Sequence, residues 1–184
     1  MIYKGSNKIE DVYIGNTKIE FIYKGSTQVY SSKLPAGQVI FESSTAGTYT
    51  IVIPKTQTYH IDLVGGGGGG HKSSSGIVHR YGGGSGGYVY GLIFIPAGTY
   101  TLLIGSGGGT DVSGGNSSFF NQIAGGGVSF NSYAGGTCTT TLNYINGNNG
   151  GKDYVGESVY GGYGRGGYSI EYGGTGGYCK IVAA

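Results

Sequence analysis

Chemistry in this chain has few places to come from, because 184 residues carry only 9 Asp plus Glu, 11 Lys plus Arg and 3 His. Gly70-His71-Lys72-Ser73 follows an apolar stretch and a glycine run, which is the setting of a phosphate-binding loop. Such a loop needs Lys directly after Gly, and a helix behind it whose N-terminus faces the phosphate. His71 separates the pair, and the Ser73-Ser74-Ser75-Gly76 stretch opens no helix. Gly83-Gly84-Ser85-Gly86-Gly87 meets the Gly-x-Ser-x-Gly spacing of a nucleophile elbow, as any glycine-rich tract does, without the strand-to-helix context. His60, His71 and His79 lack the spacing of metal ligands, and His60 alternates with Ile61 and Leu63 as on the exposed face of a strand. Gly108-Gly109-Thr110-Asp111 carries no calcium-binding nonapeptide repeat. The expectation is a protein that is not an enzyme, with no metal and no cofactor.

Binding is the chemistry the side chains favour. Between glycine runs lie three segments, residues 71–81, 128–154 and 155–172, rich in Tyr, Asn, Ser and cationic residues. The candidate contact residues are His79, Arg80 and Tyr81; Tyr144, Asn146, Asn148 and Asn149; and Tyr160, Tyr163, Arg165 and Tyr168. Tyr and Arg supply broad, directional contacts, and Ser, Gly and Asn supply adaptable hydrogen bonds, as in binding loops. Against this stands a plainer reading, in which Tyr in a Gly-Tyr-Gly setting caps the edge of a glycine scaffold. A net charge of +2 offers no electrostatic ground for nucleic acid or an anionic membrane. No window of 18 apolar residues could span a bilayer, and residues 1–8 lack the apolar core of a signal peptide.

Those segments need a scaffold, and glycine must form it. The chain has 43 Gly, close to a quarter of its residues, against an ordinary share of about 7%. Only Gly5, Gly15, Gly25, Gly37 and Gly47 precede residue 65. With 3 Pro and no Gly-X-Y period, collagen is excluded. Hydrophobic residues at 38% and 18 Tyr argue against disorder. Threefold polyproline II chains have no internal hydrogen bonds, so their N–H and C=O groups point outward. Packed side by side they can bond laterally, but only Gly lets backbones approach on every side while keeping its N–H. The expected lattice residues are Gly65, Gly66, Gly67, Gly68, Gly69 and Gly70; Gly107, Gly108 and Gly109; and Gly125, Gly126 and Gly127.

Ordering glycine is entropically expensive, so strands must anchor the lattice by hydrophobic burial. Predicted strands cover residues 38–42, 49–53, 59–64, 88–95, 118–124 and 178–182. Ala46-Gly-Thr-Tyr-Thr-Ile-Val-Ile returns as Ala97-Gly-Thr-Tyr-Thr-Leu-Leu-Ile, six of eight positions identical. Ahead of them, [Ile/Val]-Tyr-x-Gly-[Ser/Asn] recurs with period ten from Ile2, Val12 and Ile22, predicting a β-meander of short hairpins. No segment shows a capped helical period. The fold class is all-β: a short N-terminal meander plus a β-sandwich with packed polyglycine II helices. Residues 1–33 read as an assembly arm with apolar positions on both faces, Ile22 against Ile19 and Phe21, and residues 34–184 as the glycine-rich domain. Cys138 and Cys179 are too few for a disulfide framework and suit either free thiols or one bridge.

The run Tyr59-His-Ile-Asp-Leu-Val followed by six glycines resembles the opening of the glycine-rich domain of phage tail proteins and some bacterial surface proteins. Gly86-Gly-Tyr-Val-Tyr-Gly, Pro96-Ala-Gly-Thr-Tyr-Thr-Leu-Leu-Ile-Gly, Gly114-Gly-Asn-Ser-Ser-Phe-Phe and Gly176-Gly-Tyr-Cys-Lys-Ile-Val continue the likeness over roughly residues 40–184. The ten-residue Tyr-x-Gly repeat resembles repeats in tail proteins of phages that infect gut bacteria. A related architecture is the polyglycine II sandwich of tip adhesins on T-even-like long tail fibres. The resemblance implies a virion protein at a tail or fibre tip, made in the host cytoplasm. It would hold to other virion proteins or to its own copies through residues 1–33. Its loops would contact a host surface protein or glycan. The alternative is a purely structural subunit of tail, fibre or capsid surface.

Overall fold

The computed structural model describes residues 2–4, 7–9, 12–14, 16–19, 21–24, 27–31, 33–73, 79–130, 132–152, 154–167 and 173–184. The ten-residue repeats form hairpins, β1 (Ile2–Lys4) with β2 (Asn7–Ile9), β3 (Val12–Ile14) with β4 (Thr17–Ile19), and β5 (Phe21–Lys24) with β6 (Thr27–Ser31). Lys4 pairs with Asn7, Ile14 with Thr17 and Lys24 with Thr27, so two residues, beginning with Gly, separate the strands of each hairpin. Among the described residues each hairpin is its own two-stranded sheet, where the repeat predicted a continuous meander. The assignment of Ile22 to the face opposite Ile19 and Phe21 rests on the side chains of Phe21 and Ile22, which lie outside the described set.

The rest of the chain supplies β7 (Val39–Ser43), β8 (Gly47–Ile53), β9 (Gln57–Val64), β10 (His71–Ser73), β11 (His79–Tyr81), β12 (Tyr88–Ile95) and β13 (Gly98–Ile104). After these come β14 (Ser117–Phe119), β15 (Gln122–Ala124), β16 (Cys138–Thr139), β17 (Asn143–Ile145) and β18 (Tyr178–Ala183). The single strand expected at 118–124 is instead a hairpin, broken by Phe120 and Asn121 at φ 45° and 62°. Two antiparallel sheets result, ordered β17-β12-β9-β18-β7 and β16-β15-β14-β13-β8.

The two Ala-Gly-Thr-Tyr copies are partners. β8 and β13 pair from Gly47 against Ile104 to Ile53 against Gly98. In each copy the Tyr hydroxyl latches the turn before it: Tyr49 donates to the Thr45 carbonyl at 2.7 Å and Tyr100 to the Pro96 carbonyl at 2.9 Å. Alternate residues then point inward. Ile51, Ile53, Leu102 and Ile104 from one sheet meet Tyr59, Ile61, Leu63, Val89 and Ile181 from the other, all buried. This sandwich core is the hydrophobic anchor that the lattice requires. Cys179 sits inside it and Cys138 at its margin, both as free thiols.

From one end of the sandwich the chain runs out and back. Outgoing rods are residues 65–70, 105–109, 125–129, 146–151 and 164–167; returning rods are 82–87, 112–116, 134–138, 154–158 and 173–177. The bonding of rod 65–70 repeats every third residue. Gly65 and Gly68 donate to Gly87 and Gly84 at 3.0 and 2.9 Å, Gly66 and Gly69 to Gly115 and Val112 at 2.9 Å, and Gly67 to Thr175 at 2.9 Å. Its carbonyls accept from Gly127, Gly108 and Gly167. A threefold chain must do this, presenting successive N–H groups to three neighbours. Rod 82–87 behaves alike, with Gly82 and Ser85 donating to Gly151 and Asn148, Gly83 and Gly86 to Gly167 and Gly164, and Gly84 and Gly87 to Val128 and Gly125. These two rods are buried throughout and form the centre of the lattice.

Candidate functional site

The rods carry the chain away from the sheets, so the connections at their far end form a separate distal face. There lie the hairpin β10–β11 and the chain reversals that follow rods 105–109, 125–129 and 146–151. Their side chains are not held by the sandwich, and they meet each other instead. His71 Nδ1 lies 2.6 Å from Asp111 Oδ1, and the Asp111 amide donates to the Gly70 carbonyl at 3.1 Å. The His71 ring packs on Phe130 at 4.4 Å between centroids. Tyr81 and Tyr133 stack at 5.3 Å with planes 6° apart. Backbone bridges join Tyr81 to Lys152 and Gly151 to Tyr154.

Two of these residues are held in strained backbone. Asp111 has φ 60° and Tyr133 φ 52°, in the left-handed region that a bulky side chain occupies only when its surroundings demand it. Tyr133 donates to the Ser129 carbonyl at 3.1 Å and accepts from the Gly150 amide at 2.8 Å, which fixes it from both sides. Partial burial pushes its phenol up from the ordinary range, helped by the neighbouring Tyr81 and the Asp111 carboxylate. Around this ordered centre Val112, Phe130 and Tyr154 are 56%, 47% and 57% exposed. Apolar and aromatic surface is therefore presented to solvent beside a carboxylate and Lys152. The arrangement can stack against a partner and accept its hydrogen bonds.

The sequence-derived contact residues divide between this face and other places. His79, Arg80 and Tyr81 form β11 at the distal end, as an end loop should. Arg165 is in an outgoing rod, its side chain 51% exposed and 3.0 Å from Glu157. Tyr168 lies outside the described residues. The others are not at the distal end, and Tyr144, Asn146, Asn148 and Asn149 are not in rod-connecting loops, which corrects that reading for them. Tyr144 is in β17, an edge strand of the sandwich. Asn146 Oδ1 accepts from the Cys138 amide at 3.0 Å, and Asn149 Oδ1 from the Gly135 amide at 2.9 Å. The Asn148 side chain donates through Nδ2 to the Glu157 carbonyl at 2.9 Å. At the perimeter a rod has no neighbour on one side, and these polar groups supply the missing partners.

Tyr160 and Tyr163 sit at the opposite end. Gly161 and Gly162 at φ 56° and 85° turn the chain back between rods 154–158 and 164–167, and this turn lies against the sandwich. Tyr160 stacks on Tyr88 at 4.4 Å and Tyr163 on Tyr178 at 4.5 Å, building a second small core with Val64. Here the plainer reading of Gly-Tyr-Gly holds. Beneath them Tyr178 donates to Glu42 Oε1 at 2.6 Å, and Lys180 pairs with Glu42 at 3.2 Å.

Sequence reasoning missed His71, Asp111, Phe130 and Tyr154 as members of the distal face. His71, Phe130 and Tyr154 fell inside the binding segments without being singled out as contacts, and Asp111 entered only as a failed calcium ligand. The usable signal was position: each lies where a glycine run ends and the chain must reverse.

Several glycines of the runs lie against the backbone of neighbouring rods. A Cβ on Gly67 would lie 1.9 Å from the Arg165 carbonyl oxygen, one on Gly126 2.1 Å from that of Gly114, and one on Gly69 1.7 Å from that of Gly109. Gly109 itself, at the distal rim, has nothing within 4 Å of such a Cβ. No curated protein matches the chain. The profile of a glycine-rich domain family matches residues 43–180, from β7 through the lattice to β18, and this chain belongs to that family.

Proposed function

We propose that this chain is a bacteriophage virion protein at a tail or fibre tip, presenting its distal face to a receptor on the host surface. What carries the reading is the placement of strained, mutually packed side chains at the far end of a rigid lattice, where no fold stability requires exposed Val112, Phe130 and Tyr154. The phage context comes from the likeness of the glycine-rich segments and decapeptide repeats to those of tail proteins. In this reading the hairpins of residues 1–33 attach the chain to another virion protein or to its own copies. The chain leaves them at Leu34, whose amide donates to Gln57 Oε1 at 2.6 Å at the start of β9. That is the end of β9 opposite the lattice, so attachment and recognition would sit at opposite ends.

Adsorption tests the reading. A virion whose chain carries Phe130→Ala and Tyr154→Ala should assemble normally and adsorb poorly to its host. Loss of assembly with unchanged adsorption of the particles that form would instead indicate the purely structural subunit. Removal of residues 1–33 should leave a chain that is not incorporated into particles; normal incorporation would refute the role of the arm.

A further inference from the structure

We infer that the tyrosines at the sandwich end of the lattice form an oxidative cross-linking site, at which a haem peroxidase with hydrogen peroxide joins Tyr88 to Tyr160 and Tyr163 to Tyr178. Four rings meet there in two stacked pairs, with centroids 4.4 Å apart for Tyr88 and Tyr160 and 4.5 Å for Tyr163 and Tyr178. Each pair takes one ring from the start of a strand, Tyr88 of β12 or Tyr178 of β18. The other ring comes from the turn between rods 154–158 and 164–167. That turn is held in place: the Tyr163 amide donates to the Tyr160 carbonyl at 3.0 Å, and Ser158 Oγ lies 2.9 and 2.6 Å from the Tyr160 and Tyr163 carbonyl oxygens. The strand rings are buried and the turn rings half-buried, so an oxidant reaches each pair from the turn side.

Each buried phenol already has its proton acceptor. Tyr88 donates to Asp62 Oδ1 at 2.5 Å and Tyr178 to Glu42 Oε1 at 2.6 Å. Burial first, then these carboxylates, push both phenols up, so each keeps its proton until an electron leaves. A phenol that has lost an electron is strongly acidic, and in a buried site a hydrogen-bonded base takes that proton at once. Oxidation of one pair removes one electron from each ring. The proton of Tyr88 or Tyr178 passes to its carboxylate, and that of Tyr160 or Tyr163 passes to water. The two phenoxyl radicals, already in ring contact, then join by a carbon–carbon bond between positions ortho to oxygen. Each displaced ortho hydrogen restores a phenol O–H. Hydrogen peroxide takes up the two electrons and two protons at the haem and leaves as two waters, so the protein loses two hydrogen atoms per link. Each link ties the turn, and with it two rods, covalently to the sandwich.

The test exposes the full chain, kept dilute, to a haem peroxidase and hydrogen peroxide, isolates the monomer and maps its linked peptides by mass spectrometry. The expected product is a monomer with dityrosine fluorescence, lighter by two hydrogen atoms per link, with Tyr88 joined to Tyr160 and Tyr163 to Tyr178. Such a link constrains the unfolded chain as a disulfide does, so the melting temperature should rise by roughly 4–16 °C. Tyr160→Phe keeps a stacked ring without a phenol, and it should lose the first link and retain the second. Asp62→Asn keeps a hydrogen-bond acceptor but removes the base, and should slow the first link severalfold without touching the second. Equal rates in that variant and wild type would overturn the part given to the carboxylate. Tyr88 also stacks on Tyr90, at 4.7 Å, and coupling within that pair in place of Tyr160 would overturn the first link. A monomer without dityrosine, while the exposed Tyr144 and Tyr154 join chains into dimers, would overturn the site as a whole.

Discussion

Substituting Gly67 by Ala tests whether the glycine runs are a bonded lattice. The added Cβ would lie 1.9 Å from the Arg165 carbonyl oxygen, 2.4 Å from its carbon and 2.7 Å from the Gly164 oxygen. All three are backbone atoms, so no side chain can rotate away. Restoring contact at about 3.4 Å requires rod 164–167 to retreat by roughly 1.5 Å. That displacement breaks two bonds on the same rod, Gly167 to the Gly68 carbonyl and Gly86 to the Gly164 carbonyl, both at 2.7 Å. Gly68 and Gly86 are buried, and each buried group left unpaired costs about 1–3 kcal/mol, so the expected loss is about 2–6 kcal/mol. For a chain of this size about 2–4 °C accompanies each kcal/mol, which places the melting temperature roughly 4–24 °C lower. Gly109→Ala is the matched control. It meets open space at a non-positive φ, and by restricting the unfolded chain it should be neutral or stabilise by up to about 1 kcal/mol. Thermal melts followed by near-ultraviolet circular dichroism of the tyrosines read both. If Gly67→Ala melts with Gly109→Ala, the runs are linkers and the lattice argument fails.

Asn149→Ala should cost about 0.5–1.5 kcal/mol in thermal or denaturant unfolding, because the Gly135 amide loses its acceptor, while cell binding stays unchanged. Reduced cell binding at full stability would return Asn149 to the contact residues. Glu42 is held below its ordinary pKa of 4.5 by the Tyr178 hydroxyl first and then by Lys180. A depressed carboxylate stabilises the fold above its unfolded pKa and loses that contribution as pH falls through the folded value. The acid side of the stability profile, below about pH 4.5, should therefore flatten in Glu42→Gln, and a slope equal to wild type would remove the argument. Burial pushes both thiols up, Cys179 most. A thiol reagent near pH 8 should modify Cys138 first and reach Cys179 only on unfolding; equal rates in the folded protein would contradict the burial of Cys179 in the sandwich.

What the sequence determined by itself were properties that each segment carries internally. Alternation and β-branching marked β12 at the bounds the structure shows, the Tyr-x-Gly repeats marked the hairpins, and unbroken glycine marked backbone that must pack on every side. The repeated Ala-Gly-Thr-Tyr unit even identified two strands of one kind, although only the fold made them partners. What remained was decided by neighbours. Every glycine reads alike along the chain, so nothing local says that Gly67 faces Thr175 while Gly68 faces Gly84. The strand order of two sheets places the rods, and that order depends on burial of side chains far apart in sequence. The same cause separates residues of identical type. Tyr133 reaches the distal face while Tyr160 and Tyr163 fold back onto Tyr88 and Tyr178, and Asn149 caps a rod instead of ending a loop. Which tyrosine meets solvent and which meets the core depends on whether its turn closes at the sandwich end of the lattice or the far one, and only the assembled rods have ends.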